Sequence, residues 1–314
     1  MTDIKYRQLG RSGLTVSVIG VGCNAFGKRI DADATNRVVN AAVDQGINLF
    51  DTADMYGGTL SEEYLGRALG KRREDVVIAT KFGGSLDGAI GPDWDARGSR
   101  RYIRKAVGAS LRRLGTDWID LYQLHFPDPN TPIQETLATL SDLVREGKVR
   151  YIGSSNFAGW QVVDADWTAR TGGFEAFVSA QNKYSLYERE AEKELIPALE
   201  HVGAGLLPWG PLSSGLLTGK YKRGEEAPAG SRLANADQAS KLAKADFDRI
   251  EAIERFAAER GITMLDVAIG GLAAQPSVAS VIAGAAREEQ IAANISAASW
   301  EPTAEDLVEL DKIR

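Results

Sequence analysis

The chain is poor in the residues that define several functional classes. Among 314 residues there is one cysteine, Cys23, and only two histidines, His125 and His201. A single cysteine excludes an intrachain disulfide and gives no sign of an oxidising compartment. Neither histidine belongs to an H-E-x-x-H or similar set, so no metal is expected. A basic excess is missing too: 37 Lys and Arg against 43 Asp and Glu leave a net charge of −6. That balance offers no footprint for nucleic acid, and an anionic ligand would need local cations. No apolar run approaches the roughly 20 residues of a membrane span. The run from Val278 to Ala286 is short and contains a glycine. The opening MTDIKYRQLG lacks the apolar core of a signal peptide, so the expectation is a cytoplasmic protein with no membrane partner. Ser213-Ser214-Gly215 is not G-x-S-x-G, which removes the hydrolase nucleophile elbow.

What is present is a steady alternation. No Pro/Ser-rich linker or low-complexity tract divides the sequence, so residues 1–314 are read as one domain. Eight short runs rich in Val, Ile and Leu stand out. They are VSVIGVG (with 17–22 inside it), INLFDTA (47–53), DVVIATK (75–81), IDLYQLH (119–125), VRYIGSS (149–155), AFVSAQN (176–182), GLLPWG (205–210) and SVASVIAGA (277–285). Amphipathic stretches of helical period separate them: Thr35 to Gln45, Glu62 to Leu69, Ser99 to Leu114, Thr131 to Glu146, Ala158 to Ala169, Glu188 to Glu200, Phe247 to Arg260 and Glu288 to Ala298. Gly46, Gly70, Gly115, Gly147 and Gly261 fall where helix C-caps belong.

This is the pattern of βαβ units around a buried parallel sheet, either open and doubly wound or closed into a barrel. A dinucleotide-binding open sheet should show G-x-G-x-x-G after an early strand, and Gly20-Val21-Gly22 lacks the third glycine. The count of eight favours an α/β fold of the (β/α)8 TIM-barrel class. Residues 4–16, with a Gly-Arg-Ser-Gly turn, suit a β-hairpin capping the N-terminal end of the barrel. Residues 211–245 form a long loop after the seventh strand, of the length that usually covers a site.

In such a barrel the C-terminal ends of the strands converge on one mouth. Those ends are polar: Asp51 and then Tyr56 after the second run, Lys81 after the third, His125 after the fourth, Ser155-Asn156 after the fifth and Gln181 after the sixth. Taken singly, Asp51 suits a helix cap, Tyr56 a loop aromatic, Lys81 a solvated charge and His125 a satisfied structural residue. Taken together they make a proton-transfer device. A phenol with a pKa near 10 is a weak acid at neutral pH. A neighbouring ammonium favours the phenolate, a carboxylate keeps the ammonium charged, and an imidazole can hold a carbonyl oxygen.

The ordered set GVGCNAFG, FDTADMYGG, IATKFG, DLYQLHFPD, IGSSNF, QNKYSL, GPLSSGLLTGKY and VIAGAAREEQIAANI runs from about residue 17 to 294. It resembles the aldo-keto reductase family, in the bacterial branch related to potassium-channel β subunits. The resemblance implies a (β/α)8 barrel, an NAD(P)H cofactor, and reversible reduction of an aldehyde or ketone to an alcohol. It assigns Asp51, Tyr56, Lys81 and His125 as the catalytic tetrad, with Tyr56 the acid. It places Ser155, Asn156 and Gln181 on the nicotinamide carboxamide and Trp209 against its ring. Gly22, Gly210, Pro211, Leu212, Ser214, Gly215, Leu216 and Lys220 would line the rest of the cofactor path toward the pyrophosphate, with Gly284, Arg287, Gln290 and Asn294 near the adenosine. The family's aromatic-Ser-Pro-Leu reads Trp-Gly-Pro-Leu here, so one hydroxyl is lost. Arg287 is the cation available for a 2′-phosphate, which favours NADP(H) and leaves NAD(H) possible. Asn24, Phe26, Trp94 and Phe126 would shape the substrate mouth for a small carbonyl or alcohol. The rival reading is a cofactor-binding interaction module like the channel-associated relatives. Nothing in the sequence specifies an oligomeric state.

Overall fold

A computed structural model describes residues 4–235 and 238–313 of the chain. Two short strands, β1 (Tyr6–Gln8) and β2 (Thr15–Ser17), pair antiparallel as a hairpin. The barrel then starts with β3 (Ile19–Gly22), α1 (Ala32–Asp44), β4 (Leu49–Asp51) and α2 (Leu60–Leu69). It continues through β5 (Val77–Phe82), α3 (Arg100–Leu114), β6 (Ile119–Leu124), α4 (Ile133–Arg145) and β7 (Val149–Ser155). Next come α5 (Gly159–Gly172), β8 (Ser179–Gln181), α6 (Leu195–Val202) and β9 (Gly205–Leu206). After a long connection follow α7 (Ala239–Ala243), α8 (Phe247–Glu259), α9 (Met264–Ala273), β10 (Val281–Gly284), α10 (Glu288–Ala298) and α11 (Ala304–Lys312).

Strands β3 to β9 lie side by side in chain order, with β10 beside β3, all parallel. The sheet closes where Leu206 N donates to Ser277 O at 2.7 Å and Ile282 N to Pro208 O at 3.0 Å. A (β/α)8 barrel results, as the count of strands implied. The seventh strand is shorter than its sequence run because Pro208 has no N–H to give the ladder. The helix expected from Glu188 begins only at Leu195, which puts Pro197 in its first turn, where the missing N–H costs nothing. Helix α9 was not foreseen. It is buried on nearly every face, so it has no amphipathic stripe to read.

Alternation along the strands sorts side chains between two cores. Phe50, Ile78, Tyr122, Leu124 and Ile152 face the helices, while Leu49, Val77, Ala79 and Leu121 face the barrel axis. Leu9, Leu14 and Val16 of the hairpin join that inner core and plug its N-terminal end. Gly10 makes the plug possible, because a Cβ there would lie 2.7 Å from both Gly205 N and Val178 O, and its φ is +58°. Continuing the same alternation upward puts Asp51, Lys81 and Gln181 on the axis side above this apolar floor. Among the described residues no helix is long and apolar enough to cross a membrane.

Candidate active site

At the top of the inner core the strand ends bring together the residues that the motifs single out. Lys81, fully buried, donates to Asp51 Oδ2 at 2.7 Å, Asp51 Oδ1 at 2.8 Å and Thr52 O at 2.8 Å. Asp51 Oδ1 also accepts from Gln181 Nε2 at 2.7 Å and from Gln123 Nε2 at 3.3 Å. The carboxylate is thus held by donors from three strands.

Tyr56 leans over this pair, with Lys81 Nζ 5.0 Å from its ring centroid. Its position depends on the two glycines that follow. Gly57 has φ +60° and abuts the Phe26–Gly27 backbone so closely that a Cβ would sit 3.0 Å from Gly27 C. Burial drives the Tyr56 phenol upward from its ordinary pKa, and Lys81 pulls it back without reversing the direction. The phenol therefore keeps its proton at neutral pH. Burial pulls the Lys81 ammonium downward, but Asp51 and Tyr56 outweigh it and the net shift is upward. The lysine stays charged.

His125 completes the rim. Its ring stacks on Phe126 at 4.5 Å between centroids and meets Tyr56 edge-on at 5.9 Å. Burial first, then the Lys81 charge, lowers its pKa to about 3, so the imidazole is neutral. Its Nδ1 is buried without a partner, on the side of Gly84 and Met55. A neutral imidazole with spare hydrogen-bonding capacity, a protonated phenol and a fixed ammonium share one mouth.

Beside this mouth, Asn156 has a left-handed backbone (φ +59°) and ties three elements together. Its Nδ2 donates to His125 O at 3.0 Å and Ser155 Oγ at 3.1 Å, and its Oδ1 accepts from Trp209 Nε1 at 3.2 Å. Ser155 Oγ donates to Gln181 O at 2.8 Å. With its Nε2 committed to Asp51, Gln181 presents its Oε1 as the free acceptor. The turn after β9 carries three successive left-handed residues, Ser213 (φ +44°), Ser214 (φ +62°) and Gly215 (φ +95°). The Lys220 ammonium lies above it, 3.0 Å from where a Gly215 Cβ would be. A nest of backbone amides with an adjacent cation is the usual cradle of a phosphate. Gly210 and Leu212 flank this turn, whereas Pro211 and Leu216 are buried.

On the far side, Gly22 and Gly284 pair in register across β3 and β10. Asn24 is exposed beside them, its Oδ1 3.6 Å from a would-be Gly284 Cβ. Arg287, exposed, occupies the N-cap of α10, and Asn294 is buried along that helix. The Gln290 side chain is spent locally, accepting from Ala286 N at 2.8 Å. Arg37 of α1, which no motif indicated, pairs with Glu288 at 3.4 Å at this end.

One expected mouth residue is placed otherwise. Phe26 is fully buried among the side chains between sheet and helices, so its ring does not line the mouth, and it serves the site by supporting Gly57. Trp94 stays available to the mouth, 68% exposed on the loop that follows β5, with the Arg101 guanidinium 4.1 Å over its ring. Phe126, at 46% exposure, does face the mouth, and Met55 joins it at 37%. Met55 was missed because an apolar residue inside FDTADMYGG carries no polar signal. Asp54 of the same motif is buried with both oxygens unpartnered, and burial first, then Glu62, pushes its pKa well up.

Comparison with known proteins gives a consistent picture. The sequence profile described as "Aldo/keto reductase family" matches residues 18–314. The chain is 38% identical to the uncharacterized oxidoreductase YrpG of Bacillus subtilis, covering 94% of this chain and 91% of that protein. It is 35% identical to a probable voltage-gated potassium channel subunit beta of Arabidopsis thaliana, covering 99% and 95%. It is 36% identical to the versiconal hemiacetal acetate reductase of Aspergillus parasiticus, covering 87% of each chain.

Proposed function

Since this chain belongs to the aldo/keto reductase family, we propose that it is a nicotinamide-dependent reductase of aldehydes or ketones with Tyr56 as its proton donor. The observation that carries this reading is the buried Lys81–Asp51 pair beneath a phenol and a neutral imidazole at one barrel mouth. The residues present fit a dinucleotide. The left-handed turn with Lys220 suits its pyrophosphate, and the free Gln181 Oε1 can accept from a carboxamide. What the cofactor supplies when bound is a hydride for the carbonyl carbon.

The protein's own groups handle the oxygen. His125 donates a hydrogen bond from a neutral ring and so orients the carbonyl without adding a competing proton. Tyr56 releases its proton to the developing alkoxide, and Lys81 stabilises the phenolate left behind. Asp51 keeps Lys81 charged and in place. The exposed Arg287 at the N-cap of α10 supports a 2′-phosphate and hence NADPH over NADH. Met55 and Phe126 favour an apolar or aromatic carbonyl compound.

Titration with NADPH and NADH, followed by tryptophan fluorescence, tests the cofactor half of this reading. Tighter NADPH binding that falls to the NADH level in Arg287→Ala supports it, and no binding of either by folded protein sinks it. A second reading, a cofactor-binding module without turnover, draws on the likeness to a probable channel β subunit. Under it, Tyr56→Phe would change nothing measurable.

A further inference from the structure

Of the two amides that donate to Asp51, Gln123 has no contact with the expected cofactor path. Gln123 sits on β6, fully buried, two residues above Leu121 and one before the end of the strand. The alternation that sends Leu121 to the axis sends Gln123 there too. In register it lies between Lys81 of β5 and Gly153 of β7, and Gly153 in turn pairs with Ser179 of β8. Its Nε2 donates to Asp51 Oδ1 at 3.3 Å, while its Oε1 is buried with no partner.

A fold-only account does not favour this residue. Interior layers of such barrels are usually filled by branched apolar side chains. Burying an amide whose carbonyl stays unsatisfied is unfavourable, so leucine would serve packing better. The neighbours are arranged to admit it nonetheless. A Cβ at Gly153 would come 3.3 Å from Gln123 Cγ and 2.6 Å from Ser179 Oγ. The missing side chain at 153 is what leaves room for the amide to reach across to Asp51. Ser179 Oγ is likewise buried without a partner, on the same side of Gly153.

We propose that Gln123 is a positioning residue for the proton-transfer pair, fixing the Asp51 carboxylate from β6 so that Lys81 is held beneath Tyr56. The proposal rests on the reductase reading of this site. Gln123 approaches Asp51 from β6, Lys81 from β5 and Gln181 from β8, so removing the first frees the carboxylate to rotate toward the other two. Lys81 follows the carboxylate, and the phenol loses its aligned ammonium. Among these groups only Gln181 is placed to meet the cofactor, so cofactor affinity is untouched.

Two variants test it. Gln123→Leu should fold, melt no lower than the parent and bind NADPH within about twofold of it, yet lose about tenfold in kcat for carbonyl reduction, the usual worth of one hydrogen bond to a charged group. Gln123→Glu adds a readout that packing alone would not move. The titratable groups around the new carboxyl and the pair it joins are Asp51 on β4, Lys81 on β5, Tyr56 beyond β4, Cys23 after β3 and His125 after β6, while in register β7, β8 and β9 present Gly153, Ser179 and Gly205. Protonated, the new carboxyl can donate to Asp51 in place of the amide; ionised, it repels that carboxylate. Its kcat should therefore fall with rising pH through a new ionisation absent from the parent. A parental kcat and pH profile in both variants overturns the proposal, and so does a folded Gln123→Leu whose cofactor affinity and kcat collapse together. If Gln123→Leu fails to fold, the pH profile of Gln123→Glu decides alone. Tyr56→Phe run alongside separates the levels: full turnover there removes the reductase reading itself, whereas an inactive Tyr56→Phe with unaffected Gln123 variants removes only this inference.

Discussion

Replacing Lys81 by methionine should destabilise the protein as well as disable it, and the structure sets the size of the effect. Lys81 and Asp51 are 0% and 3% exposed, and the ammonium makes three bonds between 2.7 and 2.8 Å. Methionine fills most of the same volume, so little of the loss is packing. The cost is a carboxylate left in the barrel without its counter-charge, for which about 3–5 kcal/mol is typical. Gln181 and Gln123 still donate to Asp51 Oδ1, which places the expectation near the lower end, at about 3 kcal/mol. Adding Asp51→Leu removes the stranded charge. It also leaves two amide donors unpaired, at about 1 kcal/mol each, so the double variant should recover only part of the loss. Urea unfolding of the parent, the single and the double variant measures all three. Lowering the pH should shrink the deficit of Lys81→Met, because protonation relieves the stranded charge. A single variant within about 0.5 kcal/mol of the parent, or a double variant less stable than the single, would refute the reasoning.

His125 provides a pH test. Its pKa is lowered to about 3 by burial and by Lys81, whereas an unfolded histidine titrates near 6.5. Between those values the unfolded chain binds more protons, so stability falls as pH falls, by at most about 1.4 kcal/mol per unit from this group. Comparing the parent with His125→Gln by urea unfolding from pH 7 to 4 should show a shallower slope in the variant, and parallel curves would count against the assignment. The same neutrality means that kcat should show no His125 ionisation between pH 5 and 8. Glycine substitutions test the packing. A Cβ at Gly66 of α2 would overlap the Leu114 carbonyl and lie 2.8 Å from Leu114 Cα, so Gly66→Ala should cost about 1–3 kcal/mol. At Gly108 of α3 the nearest atom is Arg112 Nη1 at 3.5 Å, so Gly108→Ala should stabilise by about 0.5–1 kcal/mol. Thermal or urea melts that reverse this order would show that the α2–α3 contact is misread.

The barrel was legible because strands buried on both faces read as continuous Val, Ile and Leu runs, and their order in the sheet follows their order in the chain. Asp51, Lys81 and His125 stood out because polarity at a strand end serves no packing need. Gln123 carries a comparable signal two residues before His125. It does not stand at a strand end, yet the period of two points it at the same axis as Lys81. Phe26 illustrates the opposite error. It follows a strand end as the mouth residues do, but its ring is fully buried in the core between sheet and helices. The Arg37–Glu288 contact joins residues on the first and tenth helices, adjacent only because the sheet closes. No local pattern encodes that pairing. Nor does sequence show that the Asn156 amide is occupied by His125 O, Ser155 Oγ and Trp209, which leaves Gln181 Oε1 the acceptor free to face a cofactor.

The central claim is that Tyr56 gives its proton to a carbonyl oxygen in a site built to bind a reduced nicotinamide. The most direct measurement is steady-state reduction of an aromatic aldehyde by Tyr56→Phe, with NADPH affinity determined on the same preparation. The account predicts parental cofactor affinity and a loss of kcat of at least about a hundredfold, the scale of general acid catalysis. Parental turnover by the phenylalanine variant, with the cofactor bound as before, would contradict it.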